Sequence, residues 1–217
     1  MPAHLAVPLA VAALHAALAA GALAGRGDRR ARGLFGALAG VLAAWSASVF
    51  QIRHASDEVG GLLGQRVLNL TFGLTPALYY HLVRVLTGTS AARRTALRVV
   101  YVLAAGFALI ALVALPLLVR GVVRSPRGWA PVTGPLGLPL FVFYLAVMVA
   151  TLGPARAARR RALVAASLVM LLAPLTNFVV FILVALGVLR LELPPLLLPA
   201  GVVFIALVWF ATHDSAT

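Results

Sequence analysis

Apolar positions run along this chain in long unbroken blocks, without the alternation that a half-buried strand requires. Seven blocks stand out: Leu5–Ala24, Leu34–Ile52, Val67–Val83, Val99–Val119, Gly137–Leu152, Ala162–Leu189 and Leu196–Thr212. Apolar runs of about 17 to 25 residues predict membrane-spanning helices, because inside lipid only a helix or a closed barrel satisfies its own backbone. Barrel strands would alternate outward apolar with inward polar residues, and these blocks do not. The pattern therefore predicts an all-α membrane protein: one seven-transmembrane helix bundle spanning residues 1–217. Too little chain is left between the blocks for a soluble domain.

Composition supports that class. Of 217 residues, 63% are hydrophobic and 11% charged, whereas soluble domains run near half apolar and a quarter charged. The net charge of +13 would suit nucleic acid if it formed a patch, but its placement excludes that partner. Arg26, Arg29, Arg30 and Arg32 lie between the first two blocks; Arg84, Arg93, Arg94 and Arg98 surround the third connection; Arg156, Arg159, Arg160 and Arg161 fill the fifth. The alternate connections hold Arg53, Arg66, Arg120, Arg124, Arg127 and Arg190 over longer stretches, with Asp57, Glu58 and Glu192 among them. Short cytoplasmic loops carry the basic excess, which predicts an outside N-terminus and a cytoplasmic C-terminus, with lipid phosphates as partners of the arginines. A cleaved signal peptide is the competing account of the first block. Against it, "MPAH" lacks a positive start, and cleavage would leave "GRGDRRARG" outside.

The chemistry available in the spans is narrow. Every lysine is missing, so no retinal Schiff base can form on this topology. All five acidic residues fall in loops or the tail, whereas ion-coupled transporters usually carry carboxylates inside the bundle. There is no H-E-x-x-H motif, and Ser46 and Ser48 lack a G-x-S-x-G setting. The absence of cysteine removes thiolate metal sites and disulfides. The sequence thus offers no catalytic set and predicts no cofactor and no metal. His54, Asp57 and Glu58 in "HASDE" have ligand spacing on a helical turn, but a solvated loop accounts for them better.

Polar residues inside the blocks are few, and an amide in hydrocarbon must find a hydrogen-bond partner. Gln51, Asn69, Thr75, Thr176 and Asn177 form the candidate ligand-binding set facing the bundle interior. They either bond one another and nearby backbone or line an outward-opening pocket for a small ligand. His15 reads as a packed core residue. Tyr79, Tyr80 and His81 fall at the inner interface, where amphipathic rings settle at headgroup level. Pro76 and Pro174 lie mid-helix beside the polar residues, where proline removes a backbone bond and favours a bend. The spacings Gly21…Gly25 and Gly36…Gly40 allow close helix approach.

These segments, taken in order, resemble a known family, the histidine kinase N-terminal seven-transmembrane region. The resemblance runs through an arginine-rich first loop, "GALAGVLAAWSASVF", "FGLTPALYYHLVRVLTG", "RVVYVLAAG" and "GWAPVTGPLGLPLF". It continues through "ARAARRRALVAASLVMLLAPLTNF" and "LELPPLLLPAGVVFIALVWF". Pro76, Tyr80, His81 and the Thr176–Asn177–Phe178 triplet carry most of it. It implies a sensor or input domain in the bacterial inner membrane, working in two-component signal transduction. Such a domain has no enzymatic activity of its own and passes its signal through the seventh helix to a cytoplasmic kinase or other transmitter. The family pattern continues into soluble domains, but after Phe210 only "ATHDSAT" remains, so the transmitter is expected in a longer chain or in a partner. Analogy with dimeric kinases implies a homodimer. A small transporter or permease subunit, or an assembly subunit, is the alternative.

Overall fold

The structure is a computed structural model. It describes the backbone of residues 3–89, 94–125, 128–185 and 203–208, and the side chains among these except 3–5 and 177–185. The order is α1 (Ala3–Ala24), α2 (Arg29–His54), α3 (Glu58–Leu86), α4 (Arg94–Val113), β1 (Val119–Ser125), β2 (Gly128–Thr133), α5 (Gly137–Ala157) and α6 (Arg161–Ala185). Residues 203–208 are helical as well. Ala6–Ala24 of α1, α2, α4 and α5 are each long and apolar enough to cross a membrane. By length and composition the chain is therefore a multi-pass membrane protein. The face of α4 agrees: Val102 is 70% exposed, and Val99, Leu103, Leu109 and Leu112 are exposed with it, the surface of a helix solvated by acyl chains rather than water.

Helix α3 is absent from those four helices, and its environment accounts for this. It packs against α2, α4 and α5, so its polar residues meet protein rather than lipid. One core gathers Phe35, Leu38, Tyr79, Tyr144, Met148, Leu163 and Phe204; a second joins Ala77, Tyr80, Ala104, Leu118, Leu140 and Phe143. Both draw on α3 and α5, which makes α3 the central helix of the bundle.

The helix ends follow local chemistry. Asp28 starts α2, its carboxylate accepting from the Arg30 amide at 2.9 Å, and Asp57 starts α3, accepting from the Gly60 amide at 2.8 Å. Each satisfies an amide that the first turn leaves open. Most helices outrun their predicted blocks: α2 begins at Arg29 and α3 at Glu58, because the polar turns are helical too. Of the seventh block, residues 203–208 are described, with Phe204, Ile205 and Val208 fully buried; the rest of it lies outside the described residues.

The expectation of a purely helical chain is corrected by the β1–β2 hairpin, which pairs antiparallel from Val119↔Thr133 to Ser125↔Gly128 with an irregularity at Val119/Gly121. Helix α4 ends at Val113 rather than Val119, and a short 3-10 turn at Leu115–Leu117 follows. Pro116 has no amide to continue the helix and disfavours helical geometry at the residue before it. Beyond it the valines of "VRGVVRS" suit a pleated strand.

The hairpin sits over the α2–α3 connection. The Ala55 carbonyl accepts from the Trp129 indole N–H at 3.0 Å and from the Arg124 guanidinium at 2.9 Å, and Arg124 stacks over the Trp129 ring. Trp129 presses on Gly61 of α3, where a Cβ would come within 2.7 Å of the ring. The other end of the bundle brings together the start of α2, the end of α3 and the start of α4, where Arg30, His81 and Tyr101 meet, and the start of α6, whose Leu163 carbonyl accepts from Tyr79.

Gly128 makes the tightest backbone approach of the hairpin: its φ is +110°, and an added Cβ would lie 2.6 Å from Arg53 Cα. Gly128→Ala is expected to strain this turn and push the hairpin off α2, costing about 1–3 kcal/mol. Thermal unfolding in detergent micelles should register the loss. Gly106→Ala, in the interior of α4 with open space around the glycine, is the control expected to unfold no earlier than the wild type, because alanine is the better helix former.

Candidate functional site

The polar side chains of the bundle fall into a hairpin-side group, a mid-bundle network and a cluster at the arginine-rich end. On the hairpin side, the residues picked from the sequence bond mainly to their own helices. The Asn69 amide donates to the Gln65 carbonyl at 2.8 Å, the Thr75 hydroxyl to the Thr71 carbonyl at 2.8 Å, and the Thr176 hydroxyl to the Leu172 carbonyl at 2.8 Å. Each reaches one turn back, the usual way a lone hydroxyl or amide is satisfied within a helix. Gln51 is half-buried in the last turn of α2. Asn177 belongs to α6, with its side chain outside the described residues.

In "HASDE" the acidic residue Asp57 serves as a cap, while His54 donates from Nδ1 to the Phe50 carbonyl at 2.8 Å and stacks on the Phe50 ring. Among the described residues no three potential metal ligands gather at one point. His15 is fully buried and meets Ser46 of α2 at 3.5 Å, a contact between the first two helices. Gly36 likewise faces Leu23 of α1, where a Cβ would lie 3.1 Å away, whereas Gly21 and Gly40 have open space around them, so within the two spacings Gly36 is the residue that makes the close helix contact.

The mid-bundle network centres on Tyr79, which is 0% exposed. This corrects the expectation of an interfacial ring: both Tyr79 and Tyr80 are buried among helices. Ser167 of α6 donates to the Leu163 carbonyl at 2.8 Å; the Tyr79 hydroxyl lies 2.9 Å from the Ser167 oxygen and 3.1 Å from the same carbonyl, and the Thr151 hydroxyl lies 2.8 Å from the Ser167 oxygen and 2.6 Å from the Met148 carbonyl. Three hydroxyls from α3, α5 and α6 thus meet at Ser167 and share two backbone carbonyls, and the Tyr79 ring meets Phe204 edge-on with centroids 4.8 Å apart. Sequence reasoning passed over Thr151 and Ser167. Their only signal was a small hydroxyl within an apolar block, and Gln65, buried in α3, was missed because it precedes the block that starts at Val67.

At the arginine-rich end, His81 joins three helices. The Arg30 guanidinium of α2 approaches His81 Nε2 at 2.9 Å, and His81 Nδ1 lies 3.0 Å from the Tyr101 hydroxyl of α4. A guanidinium can only donate, so Nε2 accepts and the imidazole hydrogen sits on Nδ1, donating to the Tyr101 oxygen. Arg84, one turn on, is only 2% exposed. It donates to the Tyr80 hydroxyl at 3.0 Å and to the Thr89 carbonyl, both neutral, and its Nε has no partner. A buried guanidinium held only by neutral oxygens has no carboxylate beside it to offset the cost of burial.

No protein-family model, curated protein or solved structure matches this chain.

Removing the Tyr79 hydroxyl should leave the packing intact but one hydrogen bond short. Tyr79→Phe is expected to lower stability by about 1 kcal/mol. Paired with Ser167→Ala, it should lose less than the sum of the two single changes, because both act on one bond. Unfolding of the four proteins of this double-mutant cycle in micelles measures the coupling.

Proposed function

We propose that this chain is a seven-span sensor or input domain of the kind found in bacterial histidine kinases. In this reading its N-terminus is outside, its C-terminus is cytoplasmic, and it has no catalytic activity of its own. The observation that carries the reading is the seating of residues 203–208. Phe204, Ile205 and Val208 are buried in the main core, and Phe204 rests on Tyr79 of the central helix. A bias in the packing of α3 against α5 and α6 then reaches the last helix directly, which is where an input domain must deliver its output.

Two further features favour sensing over transport. All five carboxylates lie outside the apolar blocks, which leaves no intramembrane acid to bind and release protons or cations. Pro76 lies inside α3 and Pro174 inside α6, the two helices joined through Tyr79 and Ser167, so each has a broken backbone ladder next to the contact that would carry the signal. The mechanism is a population shift. A ligand or membrane state that prefers one packing of α3 and α6 changes the setting of the seventh helix by no more than its differential affinity. Gln51, Asn69, Thr75, Thr176 and Asn177 are the residues through which such a ligand would act on the outer half. The signal passes to a cytoplasmic kinase or other transmitter, with the chain acting as a homodimer in the inner membrane.

The test is a fusion of the full chain to a histidine kinase transmitter, read by autophosphorylation in membranes. Tyr79→Phe and Phe204→Ala are expected to change basal output by about fivefold or more, in the range of ordinary allosteric couplings, at unchanged membrane abundance. Output identical to the wild type in both variants would sink the reading. Flux of a solute through proteoliposomes holding only the purified chain would replace it with transport.

A further inference from the structure

The arginine-rich end holds a chain of hydrogen-bond donors that outnumbers its acceptors. Arg30 donates to His81, and His81 donates to Tyr101. The hydrogen of the Tyr101 hydroxyl is therefore left to donate onward, and among the described residues nothing accepts it. Arg30 is exposed and keeps N–H groups beyond the one given to His81. On α4, Arg94, Arg98 and Tyr101 recur at i, i+4 and i+7 and so share a face.

Charge points the same way. The connections after α1, α3 and α5 carry twelve arginines and a single carboxylate, Asp28, and that carboxylate is engaged in capping α2. One of the twelve, Arg84, is a buried cation with an unpartnered Nε, one turn beyond Tyr80 and close to His81. An anion with oxygens facing several directions fits a guanidinium fork and a hydroxyl supplied by different helices on the two sides of the His81 ring. The neighbouring surface selects how that anion is delivered. Val102, which follows Tyr101 and lies close to Arg98 around α4, is apolar and 70% exposed, so an acyl chain can run at the edge of the donor face.

We propose that the junction of α2, α3 and α4 at this end binds the phosphate of an anionic phospholipid. Arg30 and Tyr101 donate to the phosphate oxygens, Arg98 adds charge from the same face of α4, and the acyl chains lie along Val102. His81 is a positioning residue here. By accepting from Arg30 and donating to Tyr101 it holds both donors in place and orients the tyrosine hydrogen outward. The site does not depend on the sensor reading, since it requires only that this end of the bundle meet lipid headgroups.

The experiment uses the full chain in dodecylmaltoside micelles, with bound lipid counted by native mass spectrometry. Dioleoylphosphatidylglycerol, dioleoylphosphatidylcholine and inorganic phosphate are titrated in parallel. Phosphatidylglycerol is expected to bind about tenfold more tightly than the zwitterionic lipid, and Arg30→Gln and Tyr101→Phe each to weaken it about fivefold. Arg156→Gln, at the same end but in another connection, is expected to leave it within about twofold. Tyr101→Phe keeps the ring, so it decides the matter if Arg30→Gln fails to fold. Displacement of the lipid by inorganic phosphate would show that the phosphate group alone is recognised, and retention of the lipid would assign the site to lipid-borne phosphate. Equal binding of the two lipids would overturn the proposal. So would an Arg156→Gln effect as large as that of Arg30→Gln, which would mean a diffuse field rather than a site.

Discussion

Hydrocarbon supplies no hydrogen bonds, and that constraint organises the described part of this molecule. Every polar group placed in a span must find its partner within the protein. The chain meets the requirement in two ways. Lone hydroxyls and amides such as Thr71, Thr75 and Asn69 donate one turn back along their own helix. Groups that cannot be satisfied locally converge on the bundle interior, as Tyr79, Thr151 and Ser167 do. Helix α3 carries the largest share of these residues, and it is the helix enclosed by α2, α4 and α5.

The two ends of the bundle solve different problems. At one end a two-stranded hairpin closes over the α2–α3 connection, with the Ala55 carbonyl accepting from both Arg124 and Trp129. Glycines at positions 61 and 128 let Trp129 and the hairpin backbone come this close. At the other end arginines replace the hairpin, and the contacts are donor-rich: Arg30 on His81, His81 on Tyr101, Arg84 on Tyr80. The first end is built for shape and the second for charge. Between them the hydroxyls of α3, α5 and α6 form a polar joint inside the core, which gives the central helix a defined register against its neighbours.

Much of this was legible in the sequence. Continuous apolar blocks mark the helices, because a span buries its backbone in itself and can be apolar all round. The arginine spacing marks the end at which the basic connections gather. Block edges were less readable, since α2 and α3 continue helically through Arg29–Arg32 and Glu58–Arg66, where hydropathy falls and, in "EVGGLLGQR", three glycines lower helix propensity as well. The hairpin was hidden because Val119 extends an apolar run that Pro116 has already broken, and a short valine-rich stretch reads alike as helix end or strand. At the site level, Asn69 and Thr75 were recognisable as polar residues in a span, but which partner each would choose was not. Tyr79 looked like an interfacial ring because its position along the helix says how deep it lies and not which way it faces. Thr151 and Ser167, sixteen residues apart in chain order, become neighbours only when α5 and α6 fold back on each other.

The central claim is that the hairpin end and the arginine-rich end lie on opposite faces of a membrane. The chain contains no cysteine, so single reporters can be introduced cleanly at two exposed positions, Arg120→Cys in β1 and Arg156→Cys at the end of α5. A membrane-impermeant maleimide applied to intact cells should modify the first without lysis and the second only after it. Modification of both from the same side would contradict the account.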